Sequence, residues 1–191
     1  MATNLSALLR TPSLDSQDPD FLRRLTQAVG FQVPDRDDLK AALAHGAGAV
    51  RVLLSAPKLT EERRRDLASE GLLEWSKNVL TYRDGLNVAQ ALVSAGADVN
   101  VAEAGRTPIC SFAEQLGRVE AQEDALKKTK PATLETGGTK ALRSAWALLE
   151  ANGANTRVAQ GLRLAAYQSH SPQPMLSVED WRKNRAVASP S

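Results

Sequence analysis

Aromatic side chains make up only 4% of this 191-residue chain: three Trp, three Phe and two Tyr. A core so poor in rings is filled mainly by Ala, Leu and Val, and small side chains let helix axes approach closely. Sandwiches and barrels draw instead on Val, Ile, Thr and aromatics at a period of two, and no long alternating run occurs. Cysteine is nearly absent as well. The single Cys110 excludes an internal disulfide framework and a cysteine-rich zinc site. The two histidines, His45 and His170, stand too far apart to suggest a metal site or an acid–base pair, and both read as surface or cap residues.

Charge of one sign is missing too. With 24 Lys plus Arg against 22 Asp plus Glu, the net charge of +2 lacks the dense basic patch that phosphate backbones or acidic membranes select. No run approaches the roughly 20 consecutive apolar residues of a membrane span. Residues 1–10 show no charged start followed by an apolar stretch, so no secretory signal is expected there. Gly-rich phosphate loops, His-Glu-x-x-His and nucleophile elbows do not occur. The expectation is a cytoplasmic, non-enzymatic protein that takes no cofactor or metal and binds neither nucleic acid nor membrane.

What the chain does hold is a series of short helical patterns. Residues 1–18 mix Ser, Thr, Pro, Asp and Asn and read as a flexible or weakly docked arm. Phe21, Leu22, Leu25 and Val29 recur at helical spacing ahead of Gly30, which predicts a capping helix within residues 19–34. Asp35 can cap a helix carrying Leu39, Ala42 and Leu43, and a second short helix carries Val50, Leu53 and Leu54 up to Pro57. Thr60 opens another helix, whose Arg63-Arg64-Arg65 reads as a solvated face, and Val88, Ala91 and Leu92 mark the next one after the Asp84-Gly85 turn. Thr107 is placed as the N-cap of a helix starting at Pro108. Residues 117–140 are polar and contain Pro131 and Gly137-Gly138, which predicts a projecting loop or insertion that includes Lys127-Lys128-Thr129-Lys130, with a short helix around residues 120–128 as the alternative. Helices over 141–151 and about 162–168 follow, and residues 171–191 form a tail.

Three segments align at the ends of their second helices: Val52-Leu53-Leu54-Ser55-Ala56-Pro57, Ala91-Leu92-Val93-Ser94-Ala95-Gly96 and Leu148-Leu149-Glu150-Ala151-Asn152-Gly153. Their offsets of 39 and 57 fit a period of about 33 with extra residues in the second and third units. Gly96-Ala97-Asp98-Val99-Asn100, followed by Gly105-Arg106-Thr107-Pro108-Ile109-Cys110, resembles the junction between two ankyrin repeats, and Gly153-Ala154-Asn155 repeats its start. The resemblance covers about residues 35–168. It departs from the family where Cys110 stands in place of the usual His, where Phe112 replaces a small residue, and where Pro57 replaces the loop Gly. Cys110 then reads as a residue packed between repeats rather than a reactive thiol. The resemblance implies an all-α, ankyrin-like helical repeat solenoid of about three repeats plus caps, spanning residues 35–170. A helical repeat of another kind is the alternative.

Such arrays work by shape, presenting loop tips and inner helices to a partner. The resemblance places Asp98, Asn100, Glu103 and Arg106 on one loop and Asn155 and Arg157 on the next, as partner-binding residues. Asp98 and Asn100 also suit a purely local role, because Asp and Asn bond their own turns. The expected function is a protein–protein interaction module, monomeric on its own, such as an inhibitor or immunity protein. The alternative is a bacterial effector delivered into a target cell, with residues 1–20 as its export signal. The tail motif Trp181-Arg182-Lys183-Asn184-Arg185 is expected either to dock on the last repeat or to bind a partner.

Overall fold

Short polar side chains set the helix starts. Asp18 accepts a hydrogen bond from the Asp20 amide, with Pro19 in the first turn. Asp35 accepts from the Asp38 amide while the Asp38 carboxylate accepts from the Asp35 amide, a reciprocal capping box. Thr60 accepts from the Arg63 amide at 3.2 Å. A computed structural model describes residues 4–10, 18–82, 84–129 and 137–170 of the chain. Its regular elements are all α-helices: α1 (Leu5–Arg10), α2 (Pro19–Phe31), α3 (Arg36–His45), α4 (Ala47–Leu54), α5 (Glu61–Lys77), α6 (Gly85–Ser94), α7 (Pro108–Thr129), α8 (Gly137–Ala151) and α9 (Arg157–His170).

These helices pack by parity. α1 lies on α3, α3 on α5, α5 on α7 and α7 on α9, while α2 lies on α4, α4 on α6 and α6 on α8. Each even-numbered helix also packs on the odd-numbered helix before it. Side-chain bonds between odd neighbours join Ser6 to Asp38, Leu9 to His45 and Glu120 to Arg163, at sequence separations of 32, 36 and 43. One apolar cluster runs through both sets of helices, from Leu5 to Ala159. Its largest buried ring, Trp75 of α5, meets Phe112 of α7 edge-on with centroids 6.2 Å apart. Cys110 is buried in the same cluster. No helix among the described residues is long and apolar enough to cross a membrane.

Several local expectations are corrected. Of the two readings of residues 1–18, the structure gives the docked one for Leu5–Arg10, which is helical and buries Leu5, Leu8 and Leu9. His45 lies in the interior, not at the surface. Its Nε2 donates to the Leu9 carbonyl at 2.6 Å and its ring stacks on Phe21. Gly30 does not stop α2, which runs on to Phe31. Thr107 does stand at the N-cap position of α7, its carbonyl accepting from the Ser111 amide at 3.2 Å, but its buried hydroxyl has no hydrogen-bond partner among the described residues and adds no side-chain cap.

The largest correction concerns the expected loop at residues 117–140. The helix allowed around residues 120–128 is not a separate short one but the end of α7, which runs unbroken for 22 residues to Thr129 and carries Lys127 and Lys128. Residues 130–136, including Pro131, lie outside the described residues. Gly117 is a contact and not a break: a Cβ there would stand 2.1 Å from the Arg163 carbonyl oxygen. The polar side chains beyond it are partnered. Glu120 accepts from Arg163 at 2.6 and 2.7 Å and from Arg143 at 3.0 Å, and Asp124 accepts from the Tyr167 hydroxyl at 2.8 Å. Polar composition signals a loop only when the polar groups face water, and here Glu120, Glu123 and Asp124 face α8 and α9. α9 is also longer than expected and starts at Arg157, so this residue belongs to a helix start and not to a loop.

Candidate interaction surface

The chain leaves α6 through Gly96, whose φ of 91° suits a residue without a Cβ, and Gly153 after α8 has the matching value of 87°. The loop after Gly96 is held from its first residues. The Asp98 amide donates to Ser69 Oγ of α5 at 2.8 Å, and the Asp98 carboxylate accepts from the Asn100 amide at 2.8 Å. Val99 between them is buried. The strand-like exchange between Glu103 and Arg106, at 3.1 and 3.0 Å, then closes a two-residue hairpin. Ala104 and Gly105 at its tip both take positive φ, 51° and 77°, as the tightest hairpin turns demand.

Asn100 joins this loop to the next. Its side-chain amide donates to the Gly153 carbonyl at 2.9 Å, and its Oδ1 accepts from the Asn155 amide at 2.7 Å. Asn155 in turn accepts from the Arg157 amide at 3.2 Å and so starts α9. The structure thus gives Asp98, Asn100 and Asn155 specific intramolecular bonds. Of the other three expected contact residues, Arg106 is exposed and pairs with Glu114 at 3.4 Å, while Arg157 is exposed at the start of α9. Glu103 reaches back to α3 and α5.

That reach creates a chain of alternating charge which sequence reasoning did not find. Glu103 takes Lys77 of α5 at 2.6 Å and Arg36 of α3 at 3.4 Å, Lys77 also faces Glu74 at 3.7 Å, and Glu74 pairs with Lys40 of α3 at 3.4 Å. The hydrogen bond with Lys77 holds the Glu103 carboxyl below its ordinary range, and the same bond raises the Lys77 ammonium above its own. By linkage, the Glu103 contribution is present above the ordinary glutamate range and fades as pH falls through its lowered value. The Lys77 contribution is present below the ordinary lysine range and fades as pH rises through its raised value. Both groups are exposed, so their bond orients the hairpin more than it stabilises the fold. The spacings Arg36/Lys40 and Glu74/Lys77 are the one-face intervals of a helix, the only signal in the sequence that could have found these residues.

Beside this chain lies a cavity of about 420 Å³ lined by Leu73, Lys77, Glu103, Ala104, Arg106 and Ser111. Its floor is apolar at Leu73, and its rim alternates in sign. A rim of alternating sign repels a misplaced like charge and attracts a matched one. In comparisons with known proteins, the chain matches no family model, no curated relative and no solved structure.

Proposed function

We propose that this protein is an ankyrin-like repeat module that binds another protein through its odd-numbered helices and the 96–107 hairpin. Three helix pairs, α3/α4, α5/α6 and α7/α8, serve as the repeats, with α1/α2 and α9 closing the ends. The observation that carries this reading is the packing by parity together with the Asn100 bonds that set the loops at 96–107 and 153–155 side by side. A single globular pocket needs neither feature, whereas a stacked array needs both. The partner surface is centred on the cavity beside Lys77, Arg106 and Glu103 and on the charges that radiate from it. A cognate partner carries opposite charges in the same order, which fits an inhibitor that must choose one target.

The test is co-purification of the full chain with its partner from the native cell, identified by mass spectrometry, followed by charge reversal. Lys77→Glu together with Arg106→Glu is expected to weaken binding of that partner by about tenfold or more, each reversed contact being worth on the order of 1 kcal/mol. Gln90→Lys on the exposed face of α6 is expected to leave it unchanged, and both variants should keep the helical circular dichroism of the parent. Equal binding by the charge-reversed and parent proteins would overturn the assignment of this surface.

A further inference from the structure

The second helix pair differs from the first in its connection. Only Gly46 joins α3 to α4, whereas residues 78–84 join α5 to α6. The longer connection helps to wall a cavity of about 310 Å³ between the end of α5, the start of α6 and the start of α8. Leu80 of the connection and Leu86 of α6, each 43% exposed, line it together with Ala141 and Ala145 of α8. Small-molecule pockets run from about 300 to 1,000 Å³ and are mostly apolar, with a few placed polar groups that orient the guest.

One such polar group is set into this lining. Trp75 is fully buried, and its Nε1 has no hydrogen-bond partner among the described residues. A buried indole N–H usually has an acceptor, because leaving it unpaired loses its hydration and gains nothing. The donor lies on the cavity side of the ring: Nε1 stands 3.5 Å from where a Cβ on Gly85 would be, and Gly85 lines the same cavity. Glycine at this position keeps the approach to the donor open, where a side chain would crowd it.

The lining also selects the charge of the guest. Among the described residues, no charged side chain lines the cavity. Its one titratable group, Tyr82, is neutral, since burial raises the phenol above its ordinary range. A carboxylate here would give up its hydration for one hydrogen bond and no counter-charge, whereas a neutral carbonyl gives up far less. A pure hydrocarbon would leave the indole unpaired.

We propose that this cavity binds a small neutral molecule with an apolar body and one carbonyl oxygen, which accepts from Trp75 Nε1 while Leu80, Leu86 and Ala141 contact the body. The site goes beyond the protein-binding reading and does not rest on it, as the charge chain at Glu103 shares none of its lining residues.

Three probes with one phenyl-alkyl body test it: benzylacetone ends in a neutral carbonyl, hydrocinnamate in a carboxylate, and butylbenzene has no acceptor. Proton–nitrogen correlation spectra of the full chain carry one indole resonance for each of the three Trp, and the one missing from Trp75→Phe belongs to Trp75. Benzylacetone is expected to move that resonance saturably and to bind at least tenfold more tightly than either of the other probes. Ala141→Phe puts a ring into the cavity from an exposed position, so it should weaken benzylacetone binding at least tenfold while keeping the thermal unfolding of the parent. Trp75→Phe, followed by saturation transfer to the probe, should weaken it about tenfold, and Ala141→Phe decides alone if that variant does not fold. No saturable movement of the Trp75 resonance up to the solubility limit of benzylacetone would leave the donor to water and overturn the proposal. Equal affinity for hydrocinnamate or butylbenzene, or unchanged binding by Ala141→Phe, would overturn it as well.

Discussion

At the amino end, α1 is only six residues long and is held by burial: Leu5, Leu8 and Leu9 are exposed by 0%, 6% and 3%. Three bonds align it, from the Leu5 amide to Gln32, from Ser6 to Asp38 and from His45 to the Leu9 carbonyl. At the carboxyl end, α9 is 14 residues long, fully buries only two alanines, and is held by Glu120, Arg163, Asp124 and Tyr167. Arg163 also lies over the Trp146 ring, 5.2 Å from its centroid. The difference follows from length. A six-residue helix has almost no stability of its own, so it forms only where non-directional apolar contact supplies it. A longer helix needs less adhesion but more registration, and a bidentate guanidinium–carboxylate pair fixes register in a way that leucines cannot.

The sharpest break in this comparison is Gly117→Ala. The added carbon would stand 2.1 Å from a backbone oxygen, so a whole helix must move instead of a flexible side chain. We expect a loss of about 3 kcal/mol or more in denaturant unfolding, at the severe end of overpacking, with faster amide exchange in α9 and no change in α1. Equal stability of the alanine variant would mean that α7 and α9 are not in backbone contact. Leu5→Ala tests the other end. Its full burial argues for the usual cost of a deleted leucine, but α1 can undock, which caps the loss at about 2 kcal/mol. Here the faster exchange should appear in α1, with α9 unaffected.

The two ends also differ in how far their sequences disclose them. Local signals are readable: the Asp35 and Thr60 caps and the Gly96 and Gly153 loop starts depend on residues within a turn of one another. The all-helical composition follows from scarce aromatics and abundant small residues. Pairing at distance is not readable. Nothing near Glu120 announces Arg163, 43 residues on, so a partnered polar face reads as a loop. His45 misleads for the same reason, because its partners Leu9 and Phe21 come from other helices. Of the candidate surface, the hairpin residues are visible through a motif, whereas Arg36, Lys40, Glu74 and Lys77 are drawn to it only by tertiary packing.

Glu120→Gln is the smallest of the perturbations and the most informative about registration. The amide keeps the shape of the carboxylate and one acceptor oxygen, but it removes the charge shared by Arg163 and Arg143. Loss of one member of a fully buried pair costs several kcal/mol because the remaining charge is stranded. Here the two arginine side chains are 34% and 41% exposed, so water solvates them once the carboxylate is gone. We therefore expect a loss of about 1.5 kcal/mol, well below the buried-pair figure. A double-mutant cycle with Arg163→Met separates the pair from the rest of the helix contact, and its coupling energy should be about 1 kcal/mol or more. A coupling near zero would mean that the ion pair does not set the register of α9, which would then rest on Gly117 packing, the alanine contacts and the Asp124–Tyr167 hydrogen bond. Both ends of the molecule would then be fastened mainly by close packing with a few hydrogen bonds, and most of their contrast would disappear.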